Sequence, residues 1–266
     1  YAFIEKVTSS KMYDTAGGAT TIPQNMRIGF IDFTLSTPRL PKVELATPSW
    51  TNTYSLLFDG VDDHLSLASS ITLAGAKAVS VWVKAGANIA AGAGSKIVAG
   101  ATDAFPQLGY GRFIYTVGTS NGGTPATVQY IDCGVNFFTE GSWYHICISS
   151  DGTTSTYYVN GVVKGTSPNV NPQSLSTIGG VTPFYHDSNI DELALFDYDL
   201  SIAQISNIYN GGTPVQLGAD GLNLSPLGYW RMGDNNAGFG TTVSDEGTGS
   251  NNATLVNGPV FSLIVP

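Results

Sequence analysis

Charge is scarce in this chain. Only 12% of its 266 residues are Asp, Glu, Lys or Arg, about half the usual share. Basic residues are scarcer still, with 11 Lys and Arg against 20 Asp and Glu and a formal charge of −9. Neutralising nucleic-acid phosphates takes clustered Lys and Arg, so this balance argues against a nucleic-acid partner. No apolar run approaches the ~18 residues of a membrane span. The opening YAFIEKVTSSK lacks the basic and apolar regions of a signal peptide. The first residue is Tyr1 rather than Met, and a processed product or a part of something longer is expected. Two cysteines, Cys133 and Cys147, lie in strand-like runs, where a buried thiol acts as a small hydrophobe and a disulfide requires that the strands pair. No Cys/His cluster has zinc spacing. His64, His145 and His186 stand apart from any nucleophile motif such as G-x-S-x-G.

What remains is apolar or neutral and polar. Hydrophobic residues make up 42% of the chain, enough for a sizeable core, and Ser, Thr, Asn and Gly must cover the surface. Such surfaces suit extracellular or virion proteins. The first fifty residues are turn-rich and carry TPRLPKVELATPSW, whose three prolines favour an extended arm or linker. From Tyr54 onward short runs with period-two apolar residues alternate with turn signals, the pattern of an all-β sandwich. Asp151-Gly152 and Asn160-Gly161 sit between such runs and read as type I′ hairpin turns. One segment, Leu200–Gly212, has helical spacing, with Ser201 as N-cap, Ile202, Ile205, Ile208 and Tyr209 on one face, and a glycine stop.

Four blocks, FDGVDDHLSL, VSVWVKAG, GSWYHICISSDGTTSTYYVNGVVKG and NIDELALFDYDLSIAQISNIYNGG, follow in order over 54–212. Together they resemble the laminin G-like group of concanavalin A-like jelly-roll domains. The resemblance implies two curved antiparallel sheets packed face to face, a concave face or loop rim that binds glycans, and a structural Ca²⁺. The blocks GYWRMGDN and SDEGTGSNNATLVNGP also resemble that group, where they usually precede the FDG strand; here they follow it. The expected organisation is therefore an arm over 1–50, a sandwich over 51–214, and strands over 215–266 that either complete this sandwich or extend it.

Candidate sites follow from residue chemistry. Asp59, Asp62 and Asp63, with the carbonyl of Gly60, offer a hard cation several oxygens. The resemblance implies that the FDG turn lies close to the segment HDSNIDE, so Asp191 joins the expected Ca²⁺ ligands. Equally, Asp59 and Asp62 read as turn formers that cap their own backbone, with Asp63 a solvated strand end. A sugar needs aromatic faces beside hydroxyls, amides and carboxylates. Tyr110, Phe113 and Tyr115, and Phe184, Tyr185 and His186, are the candidates, with ordinary sheet packing the alternative for each. Trp82, Trp143 and Trp230 read as core aromatics.

Catalysis finds little support. Glycosidases need a carboxylate pair at set separation, and related jelly-roll glucanases place theirs in an E-x-D-x-x-E-like run that this chain lacks. Asp191 and Glu192 are adjacent, so in a regular strand they point to opposite faces. The sequence thus reads as a non-enzymatic extracellular or virion structural protein of decoration or fibre type. It displays a glycan- or surface-binding module, contacts other subunits through its arm, and forms a homo-oligomer or part of a larger assembly. A cement protein without sugar binding, a bacterial surface adhesin and a divergent glycoside hydrolase are the rivals.

Overall fold

The computed structural model describes residues 11–13, 19–21, 50–91, 94–100, 107–109, 112–117, 127–134, 137–168 and 173–266. The chain divides into two compact units, Tyr1–Ser49 and Trp50–Pro266. In the first, β1 (Lys11–Tyr13) and β2 (Ala19–Thr21) form an antiparallel pair. The rest of the expected arm lies outside the described residues.

The second unit is all-β, as expected. Its strands begin with β3 (Ser55–Leu57), β4 (His64–Leu73), β5 (Ala76–Lys84), β6 (Ser95–Lys96), β7 (Val98–Ala99), β8 (Gln107–Gly109), β9 (Arg112–Val117) and β10 (Thr127–Asp132). They continue as β11 (Trp143–Asp151), β12 (Thr154–Val159), β13 (Val162–Pro168), β14 (Gln173–Ile178), β15 (Gly180–Val181), β16 (Phe184–Tyr185) and β17 (Asn189–Phe196). The last are β18 (Gly228–Trp230), β19 (Thr242–Val243), β20 (Ala253–Val256) and β21 (Val260–Ser262). One sheet runs β13-β12-β11-β5-β17-β3-β21 with β18 beside β17, a second runs β19-β20-β4-β14-β7, and a third β10-β9-β8-β6.

Period-two alternation explains how these sheets share one core. On β5, Val79, Val81 and Val83 point inward and join Ile146 and Ile148 of β11. Leu65 and Leu67 of β4 and Leu175 of β14 meet them from the second sheet, and Phe113 of β9 from the third. The alternate residues of β5 and β11, including Ala78 and Cys147, face outward into a smaller cluster. Trp82 is on that outward side, its ring stacked 6.0 Å from Tyr209.

The outward cluster is roofed by α2 (Ile202–Tyr209), a helix shorter than the segment marked out by spacing. Ser201 caps it in a reciprocal box with Gln204, and Asn210 ends it in the left-handed region at φ 44°. Ile205 and Ile208 are the helix positions buried against the sheet. A second helix, α1 (Ala87–Ala91), is one turn long and was not legible in the sequence.

The two hairpin signals behave differently. Asn160 and Gly161 both have positive φ, 51° and 74°, as a type I′ turn requires. Between β11 and β12 the last pair is Ser150 with Ser155, which leaves a longer connection. There Asp151 Oδ1 accepts the N–H groups of Thr153 and Thr154, each at 2.7 Å, and the turn is built by the side chain. The cysteines are not bonded to each other: Cys147 is buried and Cys133 half-buried.

The C-terminal strands lie in the same sheets as the rest of the unit. β18 pairs with β17, β20 with β4, and β21 with β3. Trp230 is fully buried and its Nε1 donates to the Asn251 carbonyl at 3.0 Å.

Candidate functional site

At one rim of the sandwich the FDG turn folds on itself. Asp59 Oδ1 accepts the N–H of Val61 at 2.8 Å and those of Asp62 and Asp63 at 3.4 Å, while Asp63 Oδ2 accepts the Asp59 N–H at 3.0 Å. The turn-forming reading of Asp59 is therefore realised. Its backbone donors, Val61 first, hold the Asp59 carboxyl below its usual value. Asp63 is pushed up, chiefly by burial and then by the charges of Asp59 and Asp62. Asp59 and Asp62 are exposed, Asp63 is buried, and one carboxylate oxygen from each lies within 4.8 Å of the others.

The late segment meets this turn through Asp187. A Cβ on Gly60, whose φ is +78°, would collide with Asp187 Cβ, and a Cβ on Gly86 would collide with its carboxylate. Only glycine permits both approaches. Asp187 Oδ2 accepts the Asn88 N–H at 2.7 Å, at the start of α1. Next along the chain, the half-buried Tyr185 ring lies 6.1 Å from the ring of His64, whose Nδ1 is 2.8 Å from the Asp62 carbonyl. Asn88 Nδ2 donates to the Tyr185 carbonyl at 3.4 Å. The half-buried Phe184 has Lys96 Nζ 5.5 Å from its ring centre. The rim thus gathers two exposed carboxylates, the buried one of Asp63, the half-buried one of Asp187, a tyrosine face and an imidazole.

Several expected site residues sit elsewhere. Asp191 is not at the rim: it pairs with Trp82 across β17 and β5, on the outward face, and it is buried. Asp187, four residues earlier, takes the place beside the FDG turn. Phe113 is fully buried in the core with its ring 5.0 Å from that of Tyr157, because its alternation points it between the sheets. His186 is also fully buried, with Nδ1 3.0 Å from Ser95 Oγ and Nε2 3.2 Å from the Asn189 carbonyl. Burial pushes its pKa down to about 4, so it is a neutral, satisfied core histidine. Tyr110 and the side chain of Tyr115 lie outside the described residues.

A second constellation was invisible to strand periodicity. β17 bulges after Asp191: the register moves from Asp191–Trp82 to Ala194–Ser80, and Glu192 adopts φ +46°. Both adjacent carboxylates consequently lie on the outward side, against the expectation that they diverge. Glu192 accepts from Arg231 Nε at 3.1 Å and from the Tyr229 hydroxyl. Arg231 Nη2 also reaches Asp234 at 2.8 Å and the Thr51 carbonyl at 2.6 Å, and its guanidinium lies 4.9 Å from the Trp50 ring centre. Asn52 Nδ2 donates to Asp191 at 2.9 Å. Burial pushes Glu192 up to about 7 in spite of Arg231, and burial together with Glu192 raises Asp191 well above the usual carboxylate range. The signal in the sequence was the pairing of IDE with YWRMGD, a charge complement rather than a periodicity.

The sequence profile of Laminin_G_3, the concanavalin A-like lectin/glucanases superfamily, matches residues 59–206, more than half of the chain. No curated protein matches the sequence. Among solved structures, one described as a carbohydrate-binding protein from Bacteroides ovatus aligns at 14% identity and TM-score 0.59, covering 80% of this chain and 60% of that one. The chain thus spans less than two thirds of that protein. An SAP-like pentraxin from Limulus polyphemus aligns at 16% identity and TM-score 0.44, covering 61% of this chain and 85% of that one. Domain 4 of an extracellular arabinanase from Geobacillus stearothermophilus, in complex with arabinotriose, aligns at 21% identity and TM-score 0.39, covering 58% and 76%. With that profile matched over more than half of its length, the chain belongs to the laminin G-like branch of the concanavalin A-like lectin/glucanase superfamily.

Proposed function

We propose that this protein is a non-enzymatic module that binds a glycan at the rim built by the FDG turn and the Phe184–Asp187 segment. The observation that carries the reading is the Tyr185 ring beside the Asp59–Asp62–Asp63 turn, brought together from segments some 120 residues apart in the sequence. A pyranose presents an apolar face to a ring and hydroxyls to oxygen and nitrogen donors, and the rim offers both kinds of group.

Ca²⁺ fits the acidic turn. The Asp62 carboxylate and the second oxygens of Asp59 and Asp63 take no hydrogen bond among the described residues. Hard carboxylate oxygens suit that ion as part of its shell, and its charge would offset the burial and the neighbouring charges that raise Asp63. Against catalysis, the adjacent pair Asp191 and Glu192 is at most 5% exposed, with Glu192 engaged by Arg231 and Tyr229. The polar, weakly charged surface supports a place on an extracellular or virion assembly.

The test is calorimetric titration of candidate glycans with and without Ca²⁺, for wild type and for the Tyr185→Ala and Asp62→Asn variants. Binding is expected to need Tyr185, and the Ca²⁺ response to need Asp62. A glycan bound equally by all three proteins would place the site elsewhere. One observation favours a cement role without sugar binding. Val260, Leu263 and Ile264, on and just beyond the edge strand β21, are 58%, 71% and 52% exposed. Association through that edge with no saccharide signal would support this second reading.

A further inference from the structure

Outside the rim, a groove of about 470 Å³ opens where α2 meets the segment 214–222. That volume lies within the range of about 300–1,000 Å³ typical of small-ligand sites. None of its lining residues belongs to the rim. Ser206, Asn207 and Asn210 face it from the helix end, and Gln216 and Asp220 from the facing segment. Val215, Leu222 and the Trp50 indole supply its apolar surface.

The chemistry of this lining is selective. Asp220 is its sole charged side chain, so an anionic ligand would find no counter-charge there. Among the described hydrogen bonds, the side chains of Ser206, Asn207, Gln216 and Asp220 have none, leaving hydroxyl, amide and carboxylate groups free for a ligand. Trp50 is the telling member. Arg231 covers its ring, which fixes the indole, yet its Nε1 is buried with no hydrogen-bond partner. A buried donor without an acceptor costs about 1–3 kcal/mol, and the protein itself leaves this one unmatched beside the groove. The walls are pre-formed: α2 is capped at both ends, and Ile205, Ile208 and Leu217 anchor it and the facing segment in the outward cluster.

We propose that this groove is a separate binding site for a neutral oligosaccharide, with Trp50 as its aromatic platform and Asn207 and Gln216 as its hydroxyl readers. The site rests on none of the rim residues and stands or falls independently of the rim.

The experiment is ligand-observed saturation-transfer NMR together with tryptophan emission, with cellotriose, maltotriose and arabinotriose as probes and trigalacturonic acid as an anionic control. At least one neutral trisaccharide should give a saturable signal, and the anionic control should be much weaker. The Asn207→Ala/Gln216→Ala double variant changes two side chains with no internal hydrogen bonds, so it keeps the fold. It should lose about tenfold in affinity, the worth of two hydrogen bonds. Trp50→Phe should abolish the emission change and weaken the NMR signal, whereas Tyr185→Ala should leave both intact. The proposal is overturned if no neutral trisaccharide binds, if trigalacturonic acid binds as well, if binding survives the double variant undiminished, or if it disappears with Tyr185→Ala.

Discussion

Removing the charge of Glu192 gives a stability change whose size can be worked out from the bulge on β17. In the folded protein burial holds this carboxyl at about 7, against 4.5 for the free group. Between those values the folded state keeps a proton that the unfolded chain has released. The stabilisation is therefore fully present below pH 4.5 and is lost as the pH rises toward and through 7. At 1.36 kcal/mol per unit the whole effect is about 3 kcal/mol, most of which falls between pH 5 and 8. Asp191, raised by burial and by Glu192 itself, acts in the same direction. Glu192→Gln keeps the side-chain shape and removes the titration. The buried histidines act in the opposite sense but equally in both proteins, so the comparison cancels them. With a urea slope of about 2–3 kcal/mol/M, the difference between wild-type and variant midpoints should shift by about 1 M from pH 5 to pH 8, in favour of the variant at the higher pH. Urea unfolding at four pH values measures it. A difference that stays constant with pH would refute the placement of Glu192 as a buried, proton-holding carboxyl.

The same linkage run in reverse concerns His145 and His186. Burial pushes their pKa values down to about 3 and about 4, from 6.5. Their stabilising effect is present above pH 6.5 and is lost as pH falls, so acid unfolding followed by circular dichroism should begin below pH 6.5, and His145→Gln should make it shallower. Ser201→Ala removes one half of the capping box on α2. It should cost about 1 kcal/mol, or about 2–4 °C in Tm for a unit of this size by calorimetry.

Where apolar alternation sets the face of a residue, the fold was legible. The inward valines of β5 and the capped helix over Ile202–Tyr209 both follow from spacing and side-chain type. The site was legible only in part. The family resemblance joins the early and late segments at one rim, but period-two alternation cannot count past a bulge or locate a close approach of backbones. Asp187 belongs to the acidic segment that the sequence marks out, but Asp191 was preferred to it because the place of Asp187 depends on Gly60 and Gly86 lacking side chains, a steric fact visible only when three segments meet. Asp191 was misplaced because β17 carries it into the sheet, opposite Trp82, before the strand bulges. Phe113 and His186 show that the candidate aromatic residues of a strand divide between core and rim by register, which local sequence leaves open.

The position of the YWRM block at the far end of the chain poses a question of energetics. Its contacts are those of a sandwich interior. Asn251 accepts from Ser69 N–H at 2.9 Å through its side-chain oxygen and donates to the Ser69 carbonyl at 2.7 Å, while Asp245 holds the Tyr229 and Asn251 N–H groups, each at 2.7 Å. These clamps join residues up to 182 positions apart. Loop-closure entropy rises only by about 0.6 kcal/mol for each doubling of loop length. A closing strand can therefore come from either end of the chain at little cost, provided that its side chains fill the same slot. Trp230 fills one such slot and Ala253 another, both fully buried in the core shared with β4 and β17. Antiparallel pairing needs only that each strand arrive in the right direction and register. β20 on β4 and β21 on β3 meet that condition from the C-terminal side, and residues 50–266 form one compact unit.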